Sequence, residues 1–381
     1  MTSAKPSLEL VRSLTDEHVL RALMEHRRLT RAELAGTVAI SKPTAGESVR
    51  RLTETGLVVD TGERTPGGRG RGRVGSYYAL SPDVGTAVAV DIAPEGVVAE
   101  SVDAYGVTVA TATERIGRPA GPTEAAAALR AVAVAISERS GRTPRLAVVS
   151  AADPVDRSTG RLIQLPDAPF LVGDLDPVRI LTGHVDGPVT VDNDVNWAAR
   201  AERDHAGDAA PSDFAYLYLG EGLGCAVVSD GEVKRGHTGL AGEIAHMITA
   251  GPGGDAVRLI EVFGRLGVRR PRSTAIDVDR LLEKLAAPDD SVRGAVATAV
   301  AGVLAATIAL ADPEMIIVGG PWGSHPVMIE AIGHAFAKAP RSAPVRAATL
   351  TERAALTGAR QAAIIRLRAT IIASVGGRDA P

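Results

Sequence analysis

The sequence contains one cysteine, Cys225, among its 381 residues. A single thiol excludes an internal disulfide and any zinc site built from several thiolates. Aromatic residues make up only 3% of the chain, so its cores must consist mainly of Ala, Val, Leu and Ile. The N-terminal segment also lacks the long apolar core that a secretory signal carries between its basic start and its cleavage site. Together these absences favour a cytoplasmic protein.

Long apolar runs are scarce as well, and the longest uncharged run includes residues 294–310. It is rich in Ala and Thr and leads through Asp312 and Pro313 into the strand-like residues 315–318. A buried helix that feeds a sheet therefore explains it better than a membrane span does. With 45% hydrophobic and 23% charged residues, the composition is that of a globular protein, and the length predicts two or three domains.

Charge is unevenly distributed along the chain, whose formal net charge is −3. Residues 1–80 contain 13 Lys and Arg against 9 Asp and Glu, a balance of +4 that leaves −7 for the remainder. This asymmetry places polyanion binding at the N-terminal end. Within the Gly-rich residues 65–75, Arg69 and Arg71 are flexible cations that can enter a DNA minor groove. A solvated linker is the alternative interpretation.

Residues 30–52 carry the pattern of two short helices. Thr30 and Glu33 stand three apart before an apolar pair, so each side chain can satisfy the other's free backbone N–H. Ser41 is an N-cap residue, and apolar residues recur after it at helical spacing. This pattern is typical of a helix-turn-helix, whose second helix lies in a major groove. An ordinary pair of surface helices is the alternative.

The residues predicted to contact DNA lie on this helix pair and on the arginine-rich wing that follows it. They are Arg31, Ser41, Lys42, Thr44, Glu47, Arg50, Arg51, Arg69 and Arg71. Glu47 can accept a hydrogen bond from cytosine N4 but repels phosphate, so we expect it to influence which base sequence is preferred.

From residue 85 onward the pattern changes to that of an α/β domain. Three β-branched runs separated by Gly or Pro precede an amphipathic helix and another buried strand. Further along, Asn193 and Asp194 come at the end of a strand and the start of a helix. Ligands of α/β folds usually bind beyond the carboxyl ends of strands, so these two side chains are expected to face a cleft.

Residues 217–247, LYLGEGLGCAVVSDGEVKRGHTGLAGEIAHM, resemble the signature of the ROK family, which comprises repressors, open reading frames and sugar kinases. The motifs NDVN, PEMIIVGG and LTGARQAA fall where that family has its Asn-Asp pair, second glycine turn and closing helix. Residues 29–62 resemble the winged helix-turn-helix of its repressor members. The resemblance extends from about residue 19 to about residue 363.

This resemblance implies an α/β fold in two parts. An N-terminal winged helix-turn-helix, residues 1–80, is followed by a two-lobed actin-like (ribonuclease H-like) sugar-kinase-type domain, residues 81–381. Residues 81–193 and the C-terminal helix are expected to form the small lobe of this domain, and residues 194–363 the large lobe.

Carried over residue by residue, the resemblance places Asn193, Asp194, Glu243, His246 and Glu261 at positions that contact a sugar. In a kinase, Asp194 would be the general base that takes the proton from the attacking sugar hydroxyl. A carboxylate there also accepts hydrogen bonds from a sugar without any chemistry. For Glu243 and His246, which stand three apart, a pair on a surface helix is the alternative.

The two phosphate-binding loops depart from the kinase pattern. Where the family's kinases have Asp-x-Gly-Gly-Thr, whose small residues let backbone N–H groups wrap ATP phosphates, residues 91–96 are DIAPEG. Pro94 has no N–H, and Glu95 brings negative charge. In the second loop, usually Gly-Thr-Gly-x-Gly, Glu221 replaces the hydroxyl. We therefore predict no phosphoryl transfer and no nucleotide cofactor.

The zinc site of the family is also missing from the sequence. Its ligands are a histidine that matches His246 and three cysteines in a short loop, whereas residues 248–260 contain no cysteine. We therefore expect no metal, and His246 is free to bind ligand or to pack.

The hypothesis that unites these features is a cytoplasmic transcriptional regulator, more readily a repressor than an activator, that senses a sugar through a degenerate kinase-like domain. Its expected partners are a double-stranded DNA operator, a sugar or sugar-phosphate effector and further copies of itself, as a homodimer or a dimer of dimers. No membrane partner is expected. Two alternatives stay open: an active sugar kinase with a fused DNA-binding head, and a DNA-binding dimer that responds to no ligand.

Overall fold

The computed structural model describes residues 8–66, 74–118, 120–165, 170 and 174–375. Its N-terminal part, the head, consists of α1 (Leu8–His26), β1 (Arg28–Thr30), α2 (Arg31–Thr37), α3 (Lys42–Glu54), β2 (Val58–Arg64) and β3 (Ser76–Leu80). The three strands form an antiparallel sheet in the order β1-β3-β2. Three helices with a small sheet at their edge are a winged helix-turn-helix, as predicted.

Both predicted helix starts of the head are present. Thr30 and Glu33 form the capping box of α2, in which Glu33 N donates to Thr30 Oγ1 over 3.2 Å and Thr30 N donates to Glu33 Oε2 over 2.7 Å. At the start of α3, Thr44 N donates to Ser41 Oγ over 3.2 Å. The inward faces of the three helices share one core, whose fully buried members include Leu20, Leu23, Leu34, Val49 and Leu52.

The second part begins with a five-stranded mixed sheet made of β4 (Ala87–Ala93), β5 (Gly96–Val102), β6 (Thr108–Glu114), β7 (Leu146–Ala151) and β8 (Val189–Asn193). Its order is β6-β5-β4-β7-β8. The first three strands form an antiparallel meander, whereas β7 and β8 run parallel to β4. One face is covered by α4 (Pro122–Ser140) and the short α5 (Pro177–Leu181).

A second five-stranded sheet repeats this plan with β9 (Phe214–Leu219), β10 (Leu223–Ser229), β11 (Glu232–Val233), β14 (Met315–Gly319) and β15 (Val345–Ala347). Its order is β11-β10-β9-β14-β15, and its strand directions match those of the first sheet. Between these strands, β12 (Ile248–Ala250) and β13 (Ala256–Arg258) form a separate hairpin. Two sheets of equal topology give two lobes, which confirms the predicted actin-like fold class.

The apolar run of residues 294–310 belongs to a helix of the second lobe, α9 (Ser291–Ala311). By length and composition this helix alone, within the described ranges, could cross a membrane, yet 50% of its most apolar stretch is buried inside the protein. With α7 (Leu259–Arg265), α8 (Val278–Ala286) and α10 (Pro326–Phe336) it packs on the second sheet. The structure thus has the predicted core helix that feeds a strand.

Two helices, α6 (Asp194–Ala206) and α11 (Ala354–Ala373), connect the lobes. Trp197 of α6 shares an apolar cluster with α11 and the first sheet, whereas Val195 of the same helix packs on the second sheet. The lobe boundary predicted at residue 363 falls inside α11 and is corrected here. Ala354, the first residue of this helix, packs on the second sheet, whereas Ala359 and Ala363 share the cluster of the first sheet, so the helix bridges the lobes and no boundary lies at residue 363.

Candidate ligand cleft and nucleic-acid interface

A cleft of about 820 Å³ lies between the two lobes. Its walls come from the carboxyl ends of β4, β7 and β8, from the turn between β9 and β10, and from the segment before β12. Four of the five sugar-contacting residues inferred from the family resemblance line it, namely Asn193, Asp194, Glu243 and His246. Parallel strands end at one edge of their sheet, which explains why polar residues distant in sequence meet there.

Glu261, the fifth of these residues, is not among the residues that line the cleft, although its neighbour Ile260 is. Its carboxylate turns back to the start of α7, where Oε1 accepts hydrogen bonds from Arg258 Nη2 at 2.6 Å and Nε at 2.9 Å. Its Oε2 accepts from Arg258 N at 3.2 Å. Glu261 occupies the third position of the helix, so a helix-capping contact with Arg258 takes the place of the expected ligand contact.

The side-chain amide of Asn193 forms hydrogen bonds that hold the strand ends at the cleft together. Its Oδ1 accepts from Val195 N at 2.9 Å and so caps α6. Its Nδ2 donates to the carbonyl oxygens of Ala151 and Asp153 at 3.4 and 3.3 Å. These bonds join the end of β8 to the end of β7, and they fix the position of the next residue, Asp194, at the floor of the cleft.

Burial shifts the pKa values of the acidic side chains on the cleft floor upward, towards the neutral form. Burial raises the pKa of Asp194 well above its ordinary value, and the charges of Asp91, Asp153 and Glu243 raise it further. Burial also raises the pKa of Asp91 to about 6 and that of Glu243 to about 7. A protonated carboxyl group both donates and accepts hydrogen bonds, whereas an ionised one only accepts, so Asp194, Glu243 and Asp91 together offer donors and acceptors to the hydroxyl groups of a polyol.

The two loops that depart from the phosphate-binding pattern of kinases are joined across the cleft by Arg118, which no local sequence pattern indicated. Arg118 donates through Nε to Pro94 O at 2.9 Å and through Nη2 to Glu95 Oε1 at 3.1 Å. Its Nη1 donates to Glu221 Oε1 at 2.9 Å, and the same oxygen accepts from Arg270 Nη2 at 2.8 Å. Glu95 follows β4 and Glu221 follows β9, so this ion-pair network joins the two lobes.

The region in which the resemblance placed zinc ligands is supported by hydrogen bonds and packing. In the β12–β13 hairpin, Thr249 Oγ1 donates to Ala299 O of α9 at 2.7 Å. Gly302 permits this approach, since a Cβ there would lie 2.4 Å from Thr249 Oγ1. In the parts of the chain that the structure describes, no group of three or more His, Cys, Asp and Glu side chains could hold a metal ion.

The predicted DNA-binding residues at the start of α3 form an exposed polar surface. Ser41, Lys42, Thr44 and Glu47 are all exposed, and the hydroxyl groups of Ser41 and Thr44 lie 2.7 Å apart. Arg50, one turn further on, is also exposed but is held by Glu47 at 3.0 Å and by Glu54 at 2.6 Å. Contact of Arg50 with a phosphate or a base therefore requires exchange of these ion pairs.

Arg51 is predicted to contact DNA, but the structure turns it inward. Its Nη2 donates to Asp16 Oδ1 at 2.6 Å and its Nε to Asp16 Oδ2 at 3.0 Å. Asp16 of α1 is only 5% exposed and also accepts from Ser48 Oγ at 2.5 Å. A buried carboxylate requires such partners, so Arg51 holds α3 against α1 and its predicted DNA contact is corrected.

Of the remaining residues predicted to contact DNA, the structure describes Arg31 but not Arg69 and Arg71. Arg31, at the exposed start of α2, has its guanidinium 5.0 Å from the centroid of the Tyr78 ring, and Arg28 lies 5.1 Å from that of Tyr77. Such stacking limits the conformations of both cations at the edge of the wing. Arg69 and Arg71 lie outside the described residues.

Two family models match the chain. One, described as winged helix-turn-helix DNA-binding, covers residues 12–59, and the other, described as the ROK family, covers residues 88–258. The xylose repressor of Caldicellulosiruptor bescii is 24% identical over 246 residues, which are 62% of this chain and 59% of that protein. The chain therefore spans about three fifths of the length of this repressor.

Two solved structures show the same fold. A ROK family transcriptional regulator, described as a homolog of the E. coli MLC protein, matches 96% of this chain and 99% of its own with a TM-score of 0.65 and 16% identity. A ROK family glucokinase from Streptomyces griseus, in complex with glucose and AMPPNP, matches 73% of this chain and 99% of its own with a TM-score of 0.56 and 23% identity. At these identities the likeness concerns the fold alone.

Proposed function

We propose that this chain, which joins an N-terminal winged helix-turn-helix to a ROK family domain, is a transcriptional repressor that senses a sugar without phosphorylating it. The observation that carries the proposal is the network of Arg118, Glu95 and Glu221, which crosses the cleft at the loops that the family resemblance assigns to ATP phosphates. The name of the matched xylose repressor supports the same function for this chain.

The ion-pair network argues against nucleotide binding on two grounds. A triphosphate that binds the arginines at these loops would separate them from Glu95 and Glu221, and each carboxylate freed in this way repels a phosphate charge by about 1 kcal/mol or more at partly screened distances of about 4–6 Å. It would also have to displace Arg118, whose guanidinium already binds Pro94 O and both carboxylates. Asp194 keeps the position of a general base, but without a phosphoryl donor it serves only to bind ligand.

The effector that fits the cleft is a monosaccharide or a close derivative. The acids of the floor, Asp194 and Glu243, offer both donors and acceptors when protonated, and His246 lies beside them. A sugar changes the affinity of the protein for DNA only if it binds two conformations of the protein with different affinities. About 1–3 kcal/mol is the usual scale of such coupling. Two heads must meet half-sites about 34–36 Å apart, so the active species is a homodimer.

Lys42→Ala is expected to weaken binding to DNA and to lower its salt dependence. The exposed ammonium at the start of α3 is positioned to neutralise a phosphate, so its loss should reduce the slope of log Kd against log salt by about 1. Duplexes selected from a random library serve as ligands, and fluorescence anisotropy at several NaCl concentrations gives the slope. Lys338→Ala, an exposed lysine of the second lobe, is the matched control. Equal slopes for the two variants would contradict the predicted interface.

A sugar or a sugar phosphate, but not ATP with Mg²⁺, is expected to raise the thermal stability of the protein and to release the selected duplex. Ligand at a hundred times its Kd stabilises the fold by about 2.7 kcal/mol, which a thermal-shift assay detects. Asp194→Asn should lose the sugar response and keep DNA binding. ADP release that depends on Asp194 would establish a kinase instead. A protein that binds the duplex but responds to no member of the panel would favour the ligand-independent dimer.

A further inference from the structure

Tyr105, in the loop between β5 and β6, joins the head to the first lobe. Its hydroxyl donates to Arg27 O at 3.1 Å and accepts from Leu80 N at 2.9 Å. The guanidinium of Arg27 lies 5.7 Å from the centroid of the Tyr105 ring. Arg27 is the residue between α1 and β1, and Leu80 ends β3, so one phenol holds both sides of the head.

The loop that carries Tyr105 is internally fixed. Asp103 Oδ1 accepts from Tyr105 N and from Val107 N, each at 2.9 Å. Gly106 N donates to Asp103 O at 3.0 Å, and Gly106 has a φ of +77°, which favours glycine. A loop closed by these bonds moves as a unit, so a displacement of its base reaches the phenol.

Helix α11 holds this loop. Arg368 Nε donates to Ala104 O at 2.7 Å, and Arg360 donates to Gly106 O. At the start of the same helix, Ala354 and Ala355 line the ligand cleft. With 20 residues, α11 extends about 30 Å and runs from the cleft to the loop without a break.

The far end of α11 also packs against the head. Leu367 and Ile371 belong to the same apolar cluster as Val19 and Leu20 of α1. On the surface, Arg21 of α1 and residues from 365 to 373 of α11 line one groove. Among the described residues, the head thus contacts the two-lobed domain through the α1–α11 packing and through the Tyr105 hydroxyl, and α11 holds the loop that carries Tyr105.

We infer that Tyr105 is the positioning residue through which α11 transmits the state of the ligand cleft to the DNA-binding head. This inference rests on the proposed function, because it assigns a path to the response of DNA affinity to ligand. Displacement of the cleft end of α11 moves Arg360 and Arg368, which are hydrogen-bonded to the loop, and so moves the Tyr105 side chain. Through Arg27 and Leu80 the phenol then changes the angle between the head and the first lobe. In a dimer this alters the distance between the two α3 helices.

Tyr105→Phe in the full chain tests the inference, because it removes both hydrogen bonds and keeps the ring. Amide hydrogen exchange, measured without DNA or sugar, should become about tenfold faster at residues 27–30 and 78–81, since two hydrogen bonds no longer hold this joint. Amides of residues 88–92 in the first sheet should exchange as in the wild type. Arg368→Ala should act in the same direction, by releasing the loop from α11.

Tyr77→Phe is the matched control, since Tyr77 lies in the head and its hydroxyl forms no hydrogen bond with any described residue.

The second readout is the ratio of Kd values for the selected duplex with and without sugar, which should fall at least threefold towards one in Tyr105→Phe and stay unchanged in Tyr77→Phe. Unchanged exchange in Tyr105→Phe overturns the inference, as does faster exchange with an unchanged ratio. A wild-type ratio of one overturns the proposed function itself, and the exchange data still decide whether Tyr105 fixes the head.

Discussion

Gly358→Ala is expected to destabilise the protein by about 3 kcal/mol or more, because α11 and α6 touch at this residue. A Cβ on Gly358 would lie 2.1 Å from Trp197 O and 2.8 Å from Trp197 C. Both atoms belong to the backbone of α6, which cannot move aside as a flexible side chain would. Trp197 is itself fixed, since its Nε1 donates to Val149 O of β7 at 3.0 Å. The added methyl group must therefore separate the two helices that connect the lobes.

Urea unfolding of wild type and variant measures this loss. Gly333→Ala in α10 is the control, because no atom lies within 4 Å of a Cβ at that helical position. Alanine stabilises a helix by about 1 kcal/mol relative to glycine, so the Gly333→Ala control should be at least as stable as the wild type. A Gly358→Ala protein with wild-type stability would mean that the two helices are not in contact in solution.

Local patterns were sufficient to predict the helix starts and part of the cleft. The capping box of Thr30 and Glu33 and the N-cap Ser41 depend on groups within three residues of each other, so their geometry follows from sequence spacing. A strand pattern followed by a helix pattern likewise predicted the position of Asp194, which begins α6 directly after β8. The family resemblance added Glu243 and His246, which no spacing rule would have brought to this cleft.

Contacts between residues far apart in the chain could not be predicted in this way. Arg118 meets Glu221, 103 residues away, only because two sheets face each other across the cleft. On a helical wheel Arg51 resembles a DNA contact, yet it is half-buried and bound to Asp16, 35 residues earlier. A buried carboxylate determines the direction of that arginine, and burial is a property of the whole fold.

Glu202→Ala is expected to lower stability by about 3 kcal/mol at pH 7, because it leaves the backbone N–H groups of Thr349 and Leu350 without their acceptor, at about 1–3 kcal/mol each. Glu202 of α6 is only 2% exposed. Its Oε1 accepts from Arg346 Nη1 and from Thr349 N, both at 2.8 Å, and its Oε2 accepts from Leu350 N at 3.1 Å. Leu350 lines the ligand cleft just before α11 begins, so this carboxylate also fixes the start of that helix.

The pH dependence of Glu202→Gln separates this role from simple packing. Burial raises the pKa of Glu202, but hydrogen bonds from Thr349, Arg346 and Leu350 outweigh it and hold the pKa below its ordinary value. A folded pKa below the unfolded one gives stability that is present above the unfolded pKa and is lost as pH falls through the folded pKa. Urea unfolding should therefore show the largest gap between wild type and Glu202→Gln at neutral pH, and a smaller gap in acid.

Glu283→Gln, an exposed position on α8, is the matched control for the loss of a carboxylate and should unfold like the wild type at both pH values. A gap for Glu202→Gln that is equally large in acid would assign the effect to packing, because a protonated wild-type side chain no longer has the charge that binds Arg346. A gap that closes in acid ties the ionised carboxylate to the backbone of Thr349 and Leu350. In that case the cleft-facing start of α11 depends on one negative charge held inside the protein.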